Sequence, residues 1–385
     1  MSEWKEYKLG ELTIDGKGSY GIAAPAVDYD SNKYTYLRIT DINDDGTLNK
    51  SGLKSVDDKN AHKYLLQQND IVFARTGASV GRSYFYDERD GELVYAGFLI
   101  KYSIDPTKVN PKILKFYTHS QAYYDWIQIV DNGATRGNIN AQTYASMPII
   151  LPERHEQDRI VSILSSLDDK IDLLHRENAT LEQMAETLFR QWFVVEAKEE
   201  WEEGKLGDEF DFTMGQSPNG DSFNEEGIGV PMYQGNADFG FRFPTRRVFT
   251  TQPTRFAEVN DTLISVRAPV GAQNMATERC CIGRGVAAFR YKSNPSYYSY
   301  TYYKLKSLLE EIRQFNDNGT VFGSISKSDF ENLDIMIPDD ETIEMFQKQV
   351  KVIDDKIINN NNEIQTLIQT RDGLLPRLMG GEVKL

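Results

Sequence analysis

The sequence contains an internal repeat, and this feature limits the possible folds more than any other. Four segments of the first half return in the second half in the same order, and their separation shrinks from 197 to 186 residues. The paired segments are 4–11 and 201–208, 69–75 and 260–267, 132–152 and 318–338, and 168–171 and 354–357. Because the separation changes only by loop lengths and is then constant, the chain is predicted to be a duplication of one folding unit.

Each copy is predicted to be an α+β globular domain followed by a long helix. Short apolar runs rich in β-branched residues are typical of strands, and two longer segments have helical periodicity. The strand-like runs include 71–74, 263–266 and 286–289, and the helical segments are 111–129 and 296–315. The predicted domains are a first globular domain at 1–152, a central helix at 153–199, a second globular domain at 200–338 and a C-terminal helix at 339–385. We call residues 1–199 copy one and residues 200–385 copy two.

Both predicted helices carry apolar residues at alternating steps of three and four, the pattern of a coiled coil. This stripe, called the seam below, comprises Ile160, Leu164, Leu167, Ile171, Leu174, Leu181 and Leu188 in copy one and Phe346, Val350, Ile353, Ile357, Ile364, Leu367 and Leu374 in copy two. An ordinary amphipathic helix is the alternative, but the strict period favours packing of the two seams on each other. Antiparallel packing would relate the copies by a pseudo-two-fold axis. Asn178 and Asn360 are polar at seam positions, where asparagine often fixes the register.

Charge is distributed unevenly along the chain. The 385 residues have a formal net charge of −15, which by itself disfavours binding to nucleic acid. Residues 153–203 have a net charge of −8, whereas residues 227–292 have a net charge of +5. An acidic middle segment and a basic later segment are compatible with two different partners.

The composition is typical of a soluble, cytoplasmic protein. No apolar segment is long enough to span a membrane, and the N-terminus lacks the apolar core of a signal peptide. The two cysteines, Cys280 and Cys281, are adjacent, so a reducing compartment is expected and a disulfide framework is not. With four scattered histidines, the chain offers no credible metal site.

Sequence motifs for catalysis are missing. The loop 215–220 lacks the spacing of a nucleophile elbow, and Asn-Pro-Ser-Tyr at 294–297 lacks the second proline of the amino-methyltransferase loop Asn-Pro-Pro-Tyr. The sequence contains no glycine-rich loop for S-adenosylmethionine, no Walker A loop and no acidic pair with a lysine typical of a metal nuclease. The chain is therefore predicted to be non-catalytic.

Both globular domains carry polar and basic residues in predicted loops, of the types that contact base edges and phosphates. The candidate DNA-binding residues are Lys17, Tyr20, Arg38, Arg75, Arg82, Arg136 and Asn138 in copy one and Gln234, Asn236, Arg242, Arg246, Arg247 and Arg267 in copy two. For any single arginine, a surface ion pair or a packed side chain is an equal alternative. The cluster 242–247, which is interleaved with phenylalanine, is the strongest of these candidates.

The length of the seam suggests how two such domains would meet DNA. From Ile160 to Leu188 the seam covers 28 residue steps, about 42 Å of helix at ~1.5 Å per residue. One turn of B-DNA is about 34–36 Å long. Two domains at this spacing would contact two half-sites separated by an unread gap. Because the globular copies differ in sequence, the half-sites are predicted to differ as well.

Taken together, these features resemble the specificity subunit of a type I restriction-modification enzyme, over essentially the whole chain. The resemblance is carried by the Trp…Leu-Gly start of each copy, by Arg-Thr-Gly-Ala-Ser-Val-Gly at 75–81 and Arg-Ala-Pro-Val-Gly at 267–271, by Leu-Pro-Glu-Arg-His-Glu-Gln at 151–157, and by Leu-Asp-Asp-Lys-Ile at 167–171 with its second copy. Copy two departs from this pattern where Ile343-Glu344 replaces the Glu-Gln pair.

The resemblance implies that each globular domain is a target recognition domain, and that the helices separate the domains and dock modification subunits, usually two. Those subunits would use S-adenosylmethionine to methylate an adenine flipped out of each half-site. Restriction subunits would use ATP and Mg to translocate and cleave unmodified DNA. The chain itself would bind no cofactor and catalyse neither reaction. Apolar residues off the seam are docking candidates or, equally, core residues: Ile163, Leu173, Met184, Trp192 and Phe193.

Two other functions remain open at the level of sequence. One is a free-standing methyltransferase or nuclease, which the missing cofactor motifs disfavour. The other is a coiled-coil adaptor without a role on DNA. Salt-dependent DNA binding distinguishes a DNA-recognition protein from an adaptor, since phosphate contacts weaken steeply with salt.

Overall fold

The chain folds into two units, each of which contains one globular domain and part of each long helix. A computed structural model describes residues 4–133, 138–316 and 323–383. The first unit comprises Met1–Leu173 and Glu363–Leu385, and the second comprises Leu174–Asn362. The division predicted from the sequence left each helix outside the globular domains. In the structure, the start and the end of each helix belong to different units.

The globular domain of copy one is built from short strands and helices. Its strands are β1 (Lys5–Lys8), β2 (Ser19–Tyr20), β3 (Ala26–Val27), β4 (Thr35–Leu37), β5 (Lys54–Val56), β6 (Asp70–Ala74), β7 (Ser83–Phe85), β8 (Leu93–Tyr95), β9 (Leu99–Ser103) and β10 (Pro148–Leu151). Its helices are α1 (Lys112–Tyr117), α2 (Gln121–Gly133) and α3 (Ala141–Ala145). The long helix α4 (Arg154–Arg190) follows and continues into a π-helical turn at Gln191–Val195.

The domain of copy two repeats this plan. Its strands are β11 (Glu202–Lys205), β12 (Phe210–Met214), β13 (Phe223–Asn224), β14 (Val230–Tyr233), β15 (Val248–Thr250), β16 (Phe256–Ala257), β17 (Thr262–Ser265), β18 (Gln273–Met275), β19 (Cys280–Ile282), β20 (Val286–Tyr291) and β21 (Asp334–Ile337). Its helices are α5 (Leu206–Glu209), α6 (Tyr298–Ser307), α7 (Leu309–Arg313) and α8 (Lys327–Glu331), and the long helix α9 (Asp340–Met379) follows.

The two domains share one sheet topology, which confirms the predicted α+β duplication. Copy one has a ribbon β1–β10, a sheet in the order β2-β9-β6-β7 and a sheet in the order β3-β5-β4-β8. Copy two has a ribbon β11–β21, a sheet in the order β12-β20-β17-β18 and a sheet in the order β13-β15-β14-β19, to which β16 is added. Each copy has one parallel strand pair, β4–β8 in copy one and β14–β19 in copy two, and the other pairs of the strands described above are antiparallel.

The repeat also preserves a detail of backbone conformation. Asn69 and Asn260 precede β6 and β17 and have φ angles of 70° and 69°. Asparagine adopts this left-handed region more readily than most non-glycine residues. The following residues, Asp70 and Asp261, each accept a hydrogen bond from the backbone N–H three positions earlier, at 2.9 and 2.7 Å. The same turn therefore starts the central strand of both domains.

In the second unit, the segments of α4 and α9 run antiparallel. Asn360 Nδ2 donates a hydrogen bond to Asn178 Oδ1 at 2.8 Å, and both side chains are buried. In the π-helical turn that continues α4, the ring of Phe193 packs on Phe346 near the start of α9, with centroids 5.1 Å apart. Rising numbers in one helix therefore meet falling numbers in the other.

The first unit has the same antiparallel arrangement. Lys170 Nζ lies 3.3 Å from Glu363 Oε1, and Asp168 Oδ1 lies 3.1 Å from Arg371 Nη1. All the seam residues named above are buried or half-buried. The apolar stripe of each helix therefore faces the protein interior within its unit.

Each unit has a core that joins its globular domain to the helix segments. In the first unit, Phe73 and Tyr144 belong to the same buried cluster as Ile160 and Leu164 of α4 and Leu378 of α9. The corresponding cluster in the second unit contains Phe289 and Tyr300 of the domain, Phe189 of α4, and Phe346 and Val350 of α9. Since burial of each large apolar side chain stabilises by about 1.5–3 kcal/mol, these clusters fix each domain to its helix segments.

The predicted helix at 111–129 is interrupted in the structure. Helix α1 ends at Tyr117 and α2 begins at Gln121. Between them, Thr118 Oγ1 donates to the carbonyl of Lys115 at 3.0 Å, and Ser120 Oγ donates to the carbonyl of Tyr117 at 2.7 Å. Such side-chain bonds to the backbone compete with helix continuation, which explains a break that apolar periodicity does not reveal.

The sequence also led to predictions about the cysteines, about membrane-spanning segments and about metal sites. Cys280 and Cys281 are buried free thiols in β19, and burial raises the pKa of the Cys280 thiol. Within the described residues, no helix is both long and apolar enough to cross a membrane. In the same part of the chain, no group of three or more His, Cys, Asp or Glu side chains is placed to hold a metal ion.

Candidate nucleic-acid interface

The candidate interface of copy one lies where the loops that follow β2 and β6 meet the described segment 138–140 before α3. Tyr20 ends β2, Arg75 follows β6 and Asn138 precedes α3. The Arg75 guanidinium carbon lies 4.8 Å from the centroid of the Tyr20 ring. Arg75 Nε and Nη2 donate to Asn138 Oδ1 at 3.2 and 3.1 Å. Three predicted DNA-binding residues, which are far apart in sequence, are therefore neighbours.

Backbone hydrogen bonds hold these loops in place. The N–H of Gly21 donates to the carbonyl of Leu99 at 3.2 Å, and the N–H of Ile139 donates to the carbonyl of Arg75 at 2.9 Å. A Cβ atom on Gly21 would lie 2.2 Å from the carbonyl oxygen of Ala96. Only glycine permits this close approach of the two chains, so the loop after β2 is fixed against the turn after β8.

The cluster presents both charge and hydrogen-bonding groups. Lys17, Tyr20 and Asn138 are exposed, and Arg75 is half-buried. Stacking on Tyr20 holds the guanidinium in one orientation. Because arginine has five N–H donors, donors of Arg75 beyond those bound to Asn138 remain for a ligand. A positioned arginine beside an exposed phenol and amide is suited to phosphates and base edges.

Two other predicted arginines of copy one are held by carboxylates of their own domain. Arg38 Nε and Nη2 donate to Asp41 at 2.8 and 2.6 Å, and this hydrogen bonding to Asp41 raises the pKa of Arg38 above its ordinary value. Arg82 Nη2 lies 2.6 Å from Asp44 Oδ1. Both arginines are thus paired within their own domain, Arg38 with a buried carboxylate and Arg82 with an exposed one; an ion pair is the alternative that the sequence left open. Arg136 lies outside the described residues.

The candidate interface of copy two is built around the turn 283–285 between β19 and β20. Gln234 follows β14, Arg267 follows β17, and both are exposed. The N–H of Val266 donates to the carbonyl of Gly285 at 2.9 Å, which places Arg267 beside the turn. A Cβ atom on Gly285 would lie 2.1 Å from the carbonyl oxygen of Gln234. Asn236, also exposed, lies in the loop that Gln234 begins.

Sequence reasoning missed one basic residue of this turn. Arg284 is exposed at the tip of the turn, and its N–H donates to Ser217 Oγ at 3.2 Å. It contributes to the positive charge of the segment 227–292, but nothing in its local sequence marks it as a surface tip. The pairing of β14 with β19, which is long-range, places it there.

Arg75 and Arg267 do not occupy equivalent positions, although the repeat pairs the loops that they begin. Thr76 forms an isolated bridge with Asn138, and Arg267 forms the same bridge with the matching residue of copy two. Arg267 therefore corresponds to Thr76, and the position of Arg75 is taken by Val266, which is 3% exposed. Because successive side chains of an extended chain point in opposite directions, the two arginines face different ways.

The strongest sequence candidate, Arg242, is wrong as a DNA contact. Its side chain is buried in the second unit, with the whole residue 2% exposed. The guanidinium stacks 3.4 Å from the centroid of Tyr302, and Nη2 donates to Asp354 Oδ1 at 2.7 Å. Burial acts to lower the pKa of Arg242, but Asp354 and its other acidic neighbours raise it above the ordinary value, so the group stays charged.

The other two arginines of that cluster remain on the surface. Arg246 Nε lies 2.5 Å from Glu278 Oε1, and Arg247 Nη2 lies 2.8 Å from Asp238 Oδ1. Both arginine side chains are more than half exposed. They are accessible to a ligand, which would have to compete with these carboxylates.

The docking candidates of the first long helix and the turn that follows it divide into three groups by exposure. Leu173 and Met184 are 49% and 51% exposed. Ile163 and Trp192 are half-buried. Phe193 is 8% exposed and packs on Phe346, so it is a core residue and not a docking contact.

Comparison with known proteins places both copies in one family. The sequence model of the family described as Type I restriction modification DNA specificity domain matches residues 1–183 and 198–370. The chain is 28% identical to the type I restriction enzyme MjaX specificity subunit of Methanocaldococcus jannaschii, over 91% of this chain and 88% of that protein. It is 23% identical to the type I restriction enzyme HindI specificity subunit of Haemophilus influenzae, over the full length of both.

A solved structure supports the fold. The type I restriction-modification system S subunit from M. genitalium aligns with a TM-score of 0.59 at 18% identity, covering 98% of this chain and 96% of that one. Since the family's sequence model covers both copies and most of the chain, the chain belongs to the family of type I restriction-modification specificity subunits.

Proposed function

We propose that this chain recognises a bipartite, asymmetric DNA site, with each globular domain contacting one half-site. The supporting observation is the pair of loop clusters. The cluster of copy one lies beside the turn between β8 and β9, and the cluster of copy two lies beside the corresponding turn between β19 and β20. The two clusters carry different polar residues. Copy one presents Tyr20, Arg75 and Asn138, whereas copy two presents Gln234, Arg267 and Arg284 from other positions of the repeat. One scaffold with two different sets of donors fits two different short sequences.

We further propose that the chain acts without catalysing a reaction. It would dock modification subunits that use S-adenosylmethionine to methylate adenine, and restriction subunits that use ATP and Mg to cleave. The helices α4 and α9 are the proposed docking elements. Leu173 and Met184 support this proposal, because large apolar side chains exposed on an acidic helix fit a protein partner.

Methylation mapping tests the function directly. Genomic DNA from cells that carry this chain and its modification partner is expected to contain methylated adenine in a motif with two different short parts and an unread gap. A single continuous motif would overturn the proposal. The substitution Arg75→Ala is expected to relax one part of the motif and Arg267→Ala the other, by about 1–3 kcal/mol of discrimination for each lost base contact.

A matched control separates recognition from general charge. Lys5 is exposed on the ribbon β1–β10, away from the loop cluster in sequence and topology. The substitution Lys5→Ala removes one positive charge, as Arg75→Ala does, and is expected to leave the motif unchanged. If Arg75→Ala and Arg267→Ala relaxed the same part of the motif, the assignment of one domain to one half-site would be wrong.

A further inference from the structure

The turn between β8 and β9 exposes a large aromatic ring on a fixed backbone. Phe98 is 61% exposed. Its carbonyl accepts a hydrogen bond from the N–H of Arg75 at 3.1 Å, and the N–H of the preceding Gly97 donates to the carbonyl of Ile22 at 2.8 Å. A third bond, from the N–H of Leu99 to the carbonyl of Ala96 at 2.8 Å, closes the turn. The ring therefore projects from a base that is tied to the two neighbouring loops.

The surroundings of Phe98 are those of a nucleic-acid contact. The backbone N–H of Arg75 is bonded to Phe98, and the guanidinium of Arg75 lies over the ring of Tyr20. Tyr20 is itself 43% exposed. Lys17 is exposed in the loop that leads into β2. A cation and a hydrogen-bonding amide can hold the phosphate backbone and a base edge, whereas an exposed phenylalanine ring can do neither. What such a ring can do is stack on bases or enter a base step.

Copy two lacks this ring at the matching place. The bond from Arg75 to Phe98 corresponds to the bond from the N–H of Val266 to the carbonyl of Gly285. Gly285 therefore occupies the position of Phe98, and the exposed residue of that turn is Arg284. The same turn presents an apolar ring in one domain and a cation in the other.

We propose that Phe98 enters a base step of the half-site bound by copy one and unstacks it, apart from any adenine flipped out for methylation, whereas copy two inserts no side chain into its half-site. This inference rests on the proposed DNA recognition and adds a distortion of one half-site only. The rigid attachment of the turn favours insertion, because an apolar wedge must resist the stacking that it disrupts. The adjacent Arg75 would hold the DNA in register during insertion.

Fluorescence of 2-aminopurine tests the insertion in the complex with the modification partner. The probe brightens when it loses its stacking neighbours, and it is placed at successive positions of the half-site whose reading Arg75→Ala relaxes. The native complex is expected to brighten the probe at one step of that half-site besides the target adenine, where flipping for methylation brightens it independently of Phe98. Phe98→Ala is expected to remove this signal and to weaken binding by about 5- to 150-fold, the range found when a stacking aromatic is truncated. Phe98→Tyr, which keeps the ring, should retain both.

Two controls decide between outcomes. Tyr29 is 57% exposed elsewhere in the same domain, and Tyr29→Ala is expected to change neither the signal nor the affinity. A duplex with an abasic site at the brightened step should restore much of the affinity of Phe98→Ala, because the step is already unstacked. Unchanged probe fluorescence and affinity in Phe98→Ala, or a loss of affinity that the abasic duplex does not restore, would overturn the insertion. Absence of sequence-specific binding by the native complex would instead overturn the proposed function.

Discussion

The repeat places an aspartate in both long helices, and the two copies hold it in different ways. Asp354 in copy two is fully buried and accepts hydrogen bonds from Arg242 at 2.7 Å and from Tyr303 at 3.1 Å. Its counterpart Asp168 in copy one has a side chain that is 14% exposed, and it is bound by Lys115 at 2.5 Å and Arg371 at 3.1 Å. One sequence position therefore supports a buried ion pair in the second unit and a partly hydrated one in the first.

The difference arises at the tip of one hairpin. In copy two the loop between β14 and β15 carries Arg242, which reaches Asp354 from inside the unit. In copy one the equivalent loop between β4 and β5 carries Asp44 and Asp45, which have the opposite charge. A cavity of about 460 Å³ lies beside this acidic tip, and its lining includes Asp45, Lys115, His119, Asp168 and Arg371. The comparison shows that diverged copies can keep a helix position and change the group that anchors it.

The largest effect is expected from removing Arg242. The substitution Arg242→Met keeps a long side chain but leaves Asp354 buried with Tyr303 as its remaining hydrogen-bond donor among the described residues. Since an uncompensated buried charge is costly, the free energy of opening of the second unit is expected to fall by about 3–5 kcal/mol. Native-state hydrogen exchange read by mass spectrometry reports the two units separately, because their peptides are distinct.

The matched substitution in copy one sharpens the comparison. Lys115→Met removes a partner of Asp168, whose side chain is reached by water and is also bound by Arg371. The first unit is therefore expected to lose only about 1 kcal/mol or less, the range of solvent-accessible ion pairs. Equal losses in the two units would show that burial does not distinguish the two anchors.

The role of Arg242 illustrates where sequence reasoning stops. The repeat, the α+β class and both helical seams follow from local patterns, because periodicity and segment order are visible in one dimension. A basic cluster with interleaved phenylalanine is equally compatible with a patch on the protein surface and with an arginine that is buried in an ion pair. The partner that decides between them, Asp354, lies 112 residues away in the chain. Long-range pairing of this kind leaves no local signal.

The candidate interface was predictable to a similar extent. Tyr20, Arg75 and Asn138 meet as neighbours, as expected for residues of loops that share a surface. The one-residue offset between Arg75 and Arg267 could not be seen in the sequence. The repeat pairs residues of similar type in the two loops, but it does not show in which direction their side chains point. Phe98 was not among the candidate DNA-binding residues for a related reason. An apolar residue between two strands is predicted to belong to a strand unless the position of the turn is known.

A further prediction concerns the buried asparagine pair of the second unit. Asn360 donates to Asn178 at 2.8 Å, whereas the repeat-equivalent positions are Leu174 and Ile364, both buried. Asn360→Leu would leave the Asn178 amide buried without this partner, at an expected cost of about 1–3 kcal/mol in the free energy of opening of the second unit. The double substitution Asn178→Leu with Asn360→Leu should recover most of that loss, since no amide then remains unpaired. A double variant as unstable as the single one would mean that the pair is needed for packing and not for mutual satisfaction.

The smallest expected effect is a loss of stability of the first unit as the pH falls. Burial lowers the pKa of His119, and the charges of Lys115 and Arg371 lower it further, while Asp45 and Asp168 oppose the shift. At neutral pH both folded and unfolded states carry a neutral imidazole. As the pH falls through about 6.5, the unfolded chain binds the proton first, so the first unit is expected to lose stability down to the lowered pKa of His119.

The second unit has Lys306, and not a histidine, at the position that matches His119. The match is shown by the next residue of each copy: Ser120 and Ser307 both donate a hydrogen bond to the carbonyl three positions earlier. Hydrogen exchange corrected for intrinsic rates at pH 7.5 and 5.5 should therefore show a loss in the first unit that His119→Gln removes. A loss that persists in His119→Gln would assign the pH dependence to the carboxylates of this junction.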